Sequence, residues 1–307
     1  MHRPLFFALV LAVLVAIFGG WLNAGTALLS GIFIALTLGH PWVAHARRYS
    51  ALVLKAAIVL MGFGMSISSV AQTASATFWI TAATLVAALV FGYCLMRLLQ
   101  LDSTTSLLLS SGTAICGGSA IAAVSQVIKP PAEKTAFAVT VVFLLNIVAL
   151  YIFPVIGQWL ALTQYQFGVW AALAIHDTSS VVGAAAQFGD QALDVASTAK
   201  LARALWIIPL TVALSMFWQT SKLRISIPLF IILFLLAAIA RSLIQAPELF
   251  DGLALLSRYL LNIALFMMGL GMTRSTLRDL SLKPLLFGIL LWLLLAALSL
   301  VLVLYAL

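Results

Sequence analysis

Nine runs of roughly twenty apolar residues, at 5–22, 24–39, 51–70, 77–96, 135–157, 201–218, 226–245, 253–272 and 284–306, leave this chain little with which to face water. About 20 helical residues cross the roughly 30 Å hydrocarbon core of a bilayer, and in hydrocarbon only helices and closed barrels satisfy their own backbone. Hydrophobic residues make up 64% of the chain and charged ones 8%, against about 45–50% and 25% in soluble domains. The expectation is an all-α polytopic membrane protein of about 9–11 transmembrane segments.

Two further apolar segments, 103–128 and 167–188, are interrupted by polar residues. The first contains Ser110-Ser111-Gly112-Thr113-Ala114-Ile115-Cys116-Gly117-Gly118-Ser119, and the second contains Ile175-His176-Asp177-Thr178-Ser179-Ser180. Ionisable groups at membrane depth are rare and functional by default. Paired interrupted segments are how transporters build a site at the midplane.

A net charge of +8 would point to nucleic acid in a soluble protein, but these basic residues sit between spans. Arg47, Arg48, Arg97, Lys222, Arg224, Arg274, Arg278 and Lys283 fit the positive-inside rule with a cytoplasmic N-terminus and an outer C-terminus. The uncharged segment 71–76 reads as an outside link. The run after Arg3 lacks a small-x-small cleavage site and reads as a retained first span. Cys94, Cys116 and the scattered histidines have no metal-ligand spacing, so no metal, disulfide or other cofactor is expected. The whole of 1–307 reads as one membrane domain.

Met61-Gly62-Phe63-Gly64-Met65-Ser66 matches Met268-Gly269-Leu270-Gly271-Met272-Thr273, and each copy precedes one more span. The link after the first copy is uncharged, whereas the second carries Arg274, Arg278 and Lys283, so the copies run in opposite directions, as inverted repeats do. The repeat-like halves are about 24–157 and 167–306. The interrupted segments overlay with Gly112-Thr113 on Asp177-Thr178 and Gly118 on Gly183, each followed by a charged link (Lys129 to Lys134, Asp190 to Lys200). Only one span separates them, so full crossing would make them parallel. Re-entrant segments entering from opposite faces restore the inversion, and that reading is preferred.

The candidate substrate-binding residues are Gly112, Thr113, Cys116, Gly117, Gly118, Ser119, Thr178, Ser179 and Ser180. Glycines ease departure from helical geometry, and Asp177 to Ser180 are N-cap types that would begin a half-helix. Its free N–H groups and positive dipole end favour an anion. Asp177, with His176, suits proton or sodium coupling, or a pairing with Lys200 or Arg203, which join them as candidate coupling residues and as candidate partners of the substrate. Plainer readings stand beside these: Asp177 as a cap only, His176 as a packing residue, and Cys116 as a filler. Lys200 and Arg203 are read first as snorkelling, as are Lys55, Arg241 and Arg258, and Asn146 as a bond across helices.

Gly112 to Ile121, His176 to Ala184 and Lys200-Leu201-Ala202-Arg203 together resemble the YeiH family of bacterial inner-membrane proteins, described as sulfate exporters, over nearly the whole chain. That family is grouped with the cation/proton antiporters and anion transporters. The resemblance implies inverted repeats, unwound helices and transport of a small anion, a sulfate-like oxyanion or sulfonate, coupled to protons or sodium. The alternatives are a cation-coupled organic-acid transporter and an anion channel. An intramembrane hydrolase is disfavoured because adjacent His and Asp project about 100° apart on a helix. The expected partners are the small anion and the bilayer; a homodimer stays open.

Overall fold

The computed structural model describes residues 3–22, 24–38, 43–217, 229–271 and 282–307. Lys222, Arg224, Arg274, Arg278 and the Met272-Thr273 end of the second repeat copy lie outside them. Among the described residues the regular structure is helical throughout, and five stretches are long and apolar enough to cross a membrane. Trp79 is 77% exposed, Phe33 67% and Leu52 63%, an outward apolar surface that suits lipid and not water.

The chain divides into two compact units. The first, residues 1–72 with 228–279, contains α1 (Arg3–Phe18), α2 (Ala24–Leu38), α3 (Val43–Met61), a 3-10 turn at Gly62–Gly64, α12 (Leu229–Leu243) and α13 (Pro247–Leu270). Ile17, Ala27, Ile34, Phe266 and Leu270 form a core there. A Cβ on Gly62 would fall 2.5 Å from the Phe234 carbonyl oxygen of α12, and one on Gly269 would fall 2.7 Å from Ile32 N of α2. The first glycine of each Met-Gly-x-Gly copy therefore lets its backbone close onto a neighbouring helix, α12 in one case and α2 in the other. Such reciprocal packing is what paired repeats give. Arg241 pairs with Asp251 at 2.9 Å, so its charge is held by protein as well as by any interface.

The second unit, residues 73–227 with 280–307, contains most of α4 (Ile67–Leu99), then α5 (Ser103–Ala114), α6 (Gly118–Ile128), α7 (Ala132–Trp159), α8 (Gln164–Ala174), α9 (Thr178–Phe188), α10 (Asp190–Ala204), α11 (Ile207–Phe217) and α14 (Leu282–Ala306). Two of the expected links are helical. The turn expected at 71–76 falls at Met65–Ser66, and 71–76 lies inside α4. The charged link expected from Asp190 to Lys200 is helix α10, whose Lys200 turns inward onto backbone carbonyls while Asp190 stays exposed.

Both interrupted segments are helical hairpins. At 12 and 11 residues, α5 and α6 are each about 16–18 Å long, roughly half the hydrocarbon core. Asp102 caps α5, accepting from Thr105 N at 3.0 Å, and Lys134 at the start of α7 donates to the same Asp102 oxygen at 2.6 Å. Ser125 and Thr135 hydroxyls lie 3.2 Å apart. The hairpin therefore returns to the level at which it began. In the second hairpin Phe167 near the start of α8 stacks on Phe188 at the end of α9, with centroids 3.9 Å apart. Gln164 Oε1 also accepts from Gln191 N at 3.0 Å.

Helix α7 fixes the relative sense of the two hairpins. It begins at the base of the first (Lys134) and passes that hairpin's tip, where Val142 lies against Gly117. Asn146 then meets the tip of the second at His176 N, 3.1 Å away. The helix ends at the second base, where Gly157 makes room for Phe167 and Phe188. The bases sit at opposite ends of one membrane-length helix and the tips at its middle, so the hairpins enter from opposite faces. The overlay of the segments is corrected. A shift of 60 residues carries Ala114 onto Ala174, Gly118 onto Thr178 and Ile128 onto Phe188. Matching by residue type had aligned polar residues, whereas the helix breaks set the register.

At the first base, partial burial pushes the Asp102 carboxyl up, but the Lys134 ammonium and the Thr105 N–H outweigh it and hold the group below its ordinary value. The contact is in place at neutral pH and weakens as pH falls through that lowered value. The expected labelling follows from the hairpin. In a background lacking Cys94 and Cys116, cysteines placed at Asp102 and at Lys129 should both react with an impermeant maleimide from one side of the membrane only. Labelling from opposite sides would show that 103–128 crosses fully.

Candidate functional site

Each hairpin tip has two helix ends, and the carboxyl-terminal ends are the ones that need donors. At the end of α5, Ser111 and Gly112 carbonyls accept from Ile115 N and Gly117 N, at 3.2 and 2.8 Å. The next three, Thr113, Ala114 and Ile115, have no backbone partner. At the end of α8 the Ala171 carbonyl accepts from Ile175 N at 3.0 Å, which leaves Ala172, Leu173, Ala174 and Ile175.

Two cations on one helix fill both sets. Lys200 Nζ donates to the carbonyls of Ile115 (3.0 Å), Ala172 (3.2 Å) and Ile175 (2.7 Å). Arg203 Nε donates to Ala114 O at 2.8 Å, Nη2 to Ala114 O at 2.5 Å and Thr113 O at 3.3 Å, and Nη1 to Leu173 O and, at 3.4 Å, to Ala172 O. Trp292 Nε1 of α14 takes the remaining Ala174 carbonyl at 3.1 Å. Lys200 and Arg203 are each 1% exposed. The snorkelling reading is therefore corrected: both side chains turn inward, because helix ends offer them negative dipole ends and unpaired carbonyls. Nor does an ion pair join either to Asp177. Helix α8 can lie close enough to α10 for this because Gly168 has no Cβ; one would fall 2.9 Å from the Ala192 carbonyl oxygen.

The amino-terminal ends of α6 and α9 differ. Asp177 caps α9 by accepting from Ser179 N at 3.1 Å and from the Ser179 hydroxyl. Asn146 Oδ1 accepts from His176 N and Asp177 N at 3.1 and 3.2 Å. Asn146 thus does bond across helices, to the backbone of the break. Helix α6 has no side-chain cap: its N-cap residue is Gly117 at φ 62°, a left-handed conformation that glycine adopts without cost. A Cβ on Gly117 would lie 3.4 Å from the Cβ of His176, so the two breaks are side by side.

Gly112, Thr113, Cys116 and Gly117 are buried, and Gly112 packs on Ile121 of the returning helix. Ser179 and Ser180 are buried in the first turn of α9. Gly118, Asp177 and Thr178 are part-exposed and Ser119 is exposed, so these four reach open space. Beside Gly118 nothing lies within 4 Å of an added Cβ. His176 is 1% exposed, yet both its ring nitrogens lack a hydrogen-bond partner; among the described residues only the Ser106 hydroxyl shares that state. Buried polar atoms are satisfied as a rule, so the unpaired imidazole beside an uncapped helix start is an exception that calls for an explanation. Trp292 was not foreseen, since a tryptophan in an apolar run gives no sign of which carbonyl its N–H will meet.

The family described as conserved hypothetical protein 698 matches residues 4–288. A UPF0324 membrane protein of Geobacter sulfurreducens is 43% identical over 282 residues, which is 92% of this chain and 91% of that protein. One of Shewanella oneidensis is 40% identical over 308 residues, 99% of this chain and 95% of the relative. A third, from Bacteroides thetaiotaomicron, is 42% identical over 275 residues, 89% of this chain and 83% of the relative. No solved structure matches the chain. With a family match over nearly its full length and relatives at 40–43% identity that cover 89–99% of it, this multi-pass membrane protein belongs to the conserved hypothetical protein 698 family.

Proposed function

We propose that the chain is a secondary transporter of a small anion in the bacterial inner membrane, and that the anion sits at the starts of α6 and α9. The observation that carries this reading is the unpaired, buried His176 imidazole beside the uncapped amino terminus of α6. Helix starts attract anions through free N–H groups and about half a positive charge. Gly118, Ser119, Thr178 and Ser180 supply the backbone and hydroxyl donors. Gly112, Thr113 and Cys116 shape the tip behind them.

Charge balance suggests how coupling works. The two helix carboxyl ends carry about half a negative charge each and the two starts about half a positive charge each. Lys200 and Arg203 add two positive charges, and Asp177 removes one when ionised. The tips then hold about one net positive charge with Asp177 ionised and about two with it neutral. A monoanion suits the first state and a dianion the second, so loading a sulfate-like dianion goes with a proton on Asp177. His176, next to it, is the second group of the coupling pair. A carboxylate ligand would satisfy the same donors, which keeps an organic acid as the second reading. The positive-inside rule places the N-terminus in the cytoplasm, with the first hairpin entering from the cytoplasmic face.

Counterflow in proteoliposomes tests the reading, with labelled inorganic sulfate, an alkanesulfonate and a short dicarboxylate as probes. Saturable exchange of at least one is expected; none exchanged would sink the transport reading, and non-saturable flux would favour a channel. Gly118→Val should leave the fold intact, since its side chain enters open space, while blocking approach to the first N–H groups of α6. Losing one hydrogen bond to a charged ligand costs about 1.5–3 kcal/mol, so apparent affinity should fall at least about tenfold. Unchanged affinity would move the anion away from α6.

A further inference from the structure

In many transporters the unwound carbonyls and carboxyl ends of half-helices hold the coupling sodium ion. Here those same groups are already occupied. Lys200 Nζ has three N–H donors and meets three carbonyl oxygens at 2.7–3.2 Å, one from the first hairpin and two from the second. Arg203 takes Thr113, Ala114 and Leu173 and shares Ala172, Trp292 takes Ala174, and backbone N–H groups take Ser111, Gly112 and Ala171. Among the described residues, each of these carbonyls at the two helix ends already accepts at least one hydrogen bond.

We infer that the Lys200 ammonium is a tethered cation standing where a free alkali ion would otherwise bind, and that the protein consequently works without sodium. A lysine ammonium is a compact point charge with three donors in a roughly trigonal set, close to what a small cation asks of three carbonyls. It differs from an ion in one respect that matters: it cannot leave. The carboxyl ends of α5 and α8 therefore stay neutralised through the whole cycle, and the exchangeable positive charge is left to the Asp177 and His176 side of the tips. For its meaning in coupling this inference rests on the transport reading, but its test uses no transported substrate.

Thermal unfolding of the purified protein is measured in equal concentrations of sodium, potassium and choline chloride, so that the anion is the same in every arm. Wild type should show no difference between the salts. Lys200→Ala opens a three-carbonyl cage, and sodium or potassium should raise its Tm above the choline value by roughly 3 °C, the shift expected when an ion is present at about ten times its Kd. A sodium-specific rise in wild type overturns the inference. So does a folded Lys200→Ala protein whose Tm is the same in all three salts. Should Lys200→Ala give no folded protein, the wild-type comparison decides: equal Tm values support a tethered cation, and a sodium-dependent one refutes it. Absence of anion counterflow with these cation results intact would mean that the transport reading had failed and the cation site had not.

Discussion

Arg203→Leu is expected to yield no folded protein, whereas Arg203→Lys should fold with a markedly lower Tm. The guanidinium is the partner of the buried carbonyls of Thr113, Ala114 and Leu173, and only Ala172 keeps a second donor in Lys200. A buried polar group left unsatisfied costs about 1–3 kcal/mol, so three of them cost roughly 3–9 kcal/mol, comparable with the 5–15 kcal/mol that typically holds a folded protein together. Leucine matches the stem and supplies no donor. Lysine reaches with a point charge and three donors but loses the planar fork that spans both hairpins. Size-exclusion profiles and thermal unfolding in detergent distinguish these outcomes; a Leu variant melting within a few degrees of wild type would show that the tips do not depend on Arg203. Trp292→Phe, which strands only the Ala174 carbonyl, should cost far less.

Asp177→Asn should reduce gradient-driven accumulation to equilibration while leaving counterflow in place. The substitution separates two roles of one residue. As a cap, Asp177 accepts from Ser179 N, and asparagine caps helices about as well as aspartate, so α9 should still begin at Thr178. In the proposed carrier role, the carboxylate would take up and release a proton at the hairpin tip, and asparagine cannot. An imposed pH gradient should therefore concentrate labelled anion in wild-type vesicles and bring the variant to an internal-to-external ratio of about one, as a ligand moving without coupling does. A variant that accumulates the anion like wild type would reduce Asp177 to its capping role.

The apolar runs and both interruptions were legible in the sequence because each is a local property. Twenty consecutive apolar residues commit a segment to a helix whatever surrounds it, and Gly117-Gly118 or Asp177-Thr178 break a helix by their own backbone and capping preferences. The Met-Gly-x-Gly repeat was legible too, since close helix approach needs a missing Cβ at Gly62 and Gly269 wherever those helices pack. The preference for re-entrant segments came from a parity argument. Which residues meet at the hairpin bases, Asp102 with Lys134 and Phe167 with Phe188, did not.

What only the tertiary structure decided was the role of the buried charges and the start of α10. A hydropathy reading assigns Asp190, Lys200 and Arg203 a cost from their own chemistry, and so begins the span late, at 201, and sends both cations to the interface. The actual cost depends on carbonyls brought from 25–31 and 85–90 residues away. Those oxygens exist as acceptors only because two helices stop short at the same depth and side by side. Sequence therefore determined that this protein crosses the membrane with two broken segments; the meeting of the breaks determined which of its ionisable groups are locked onto carbonyls and which, like His176, stay unpaired.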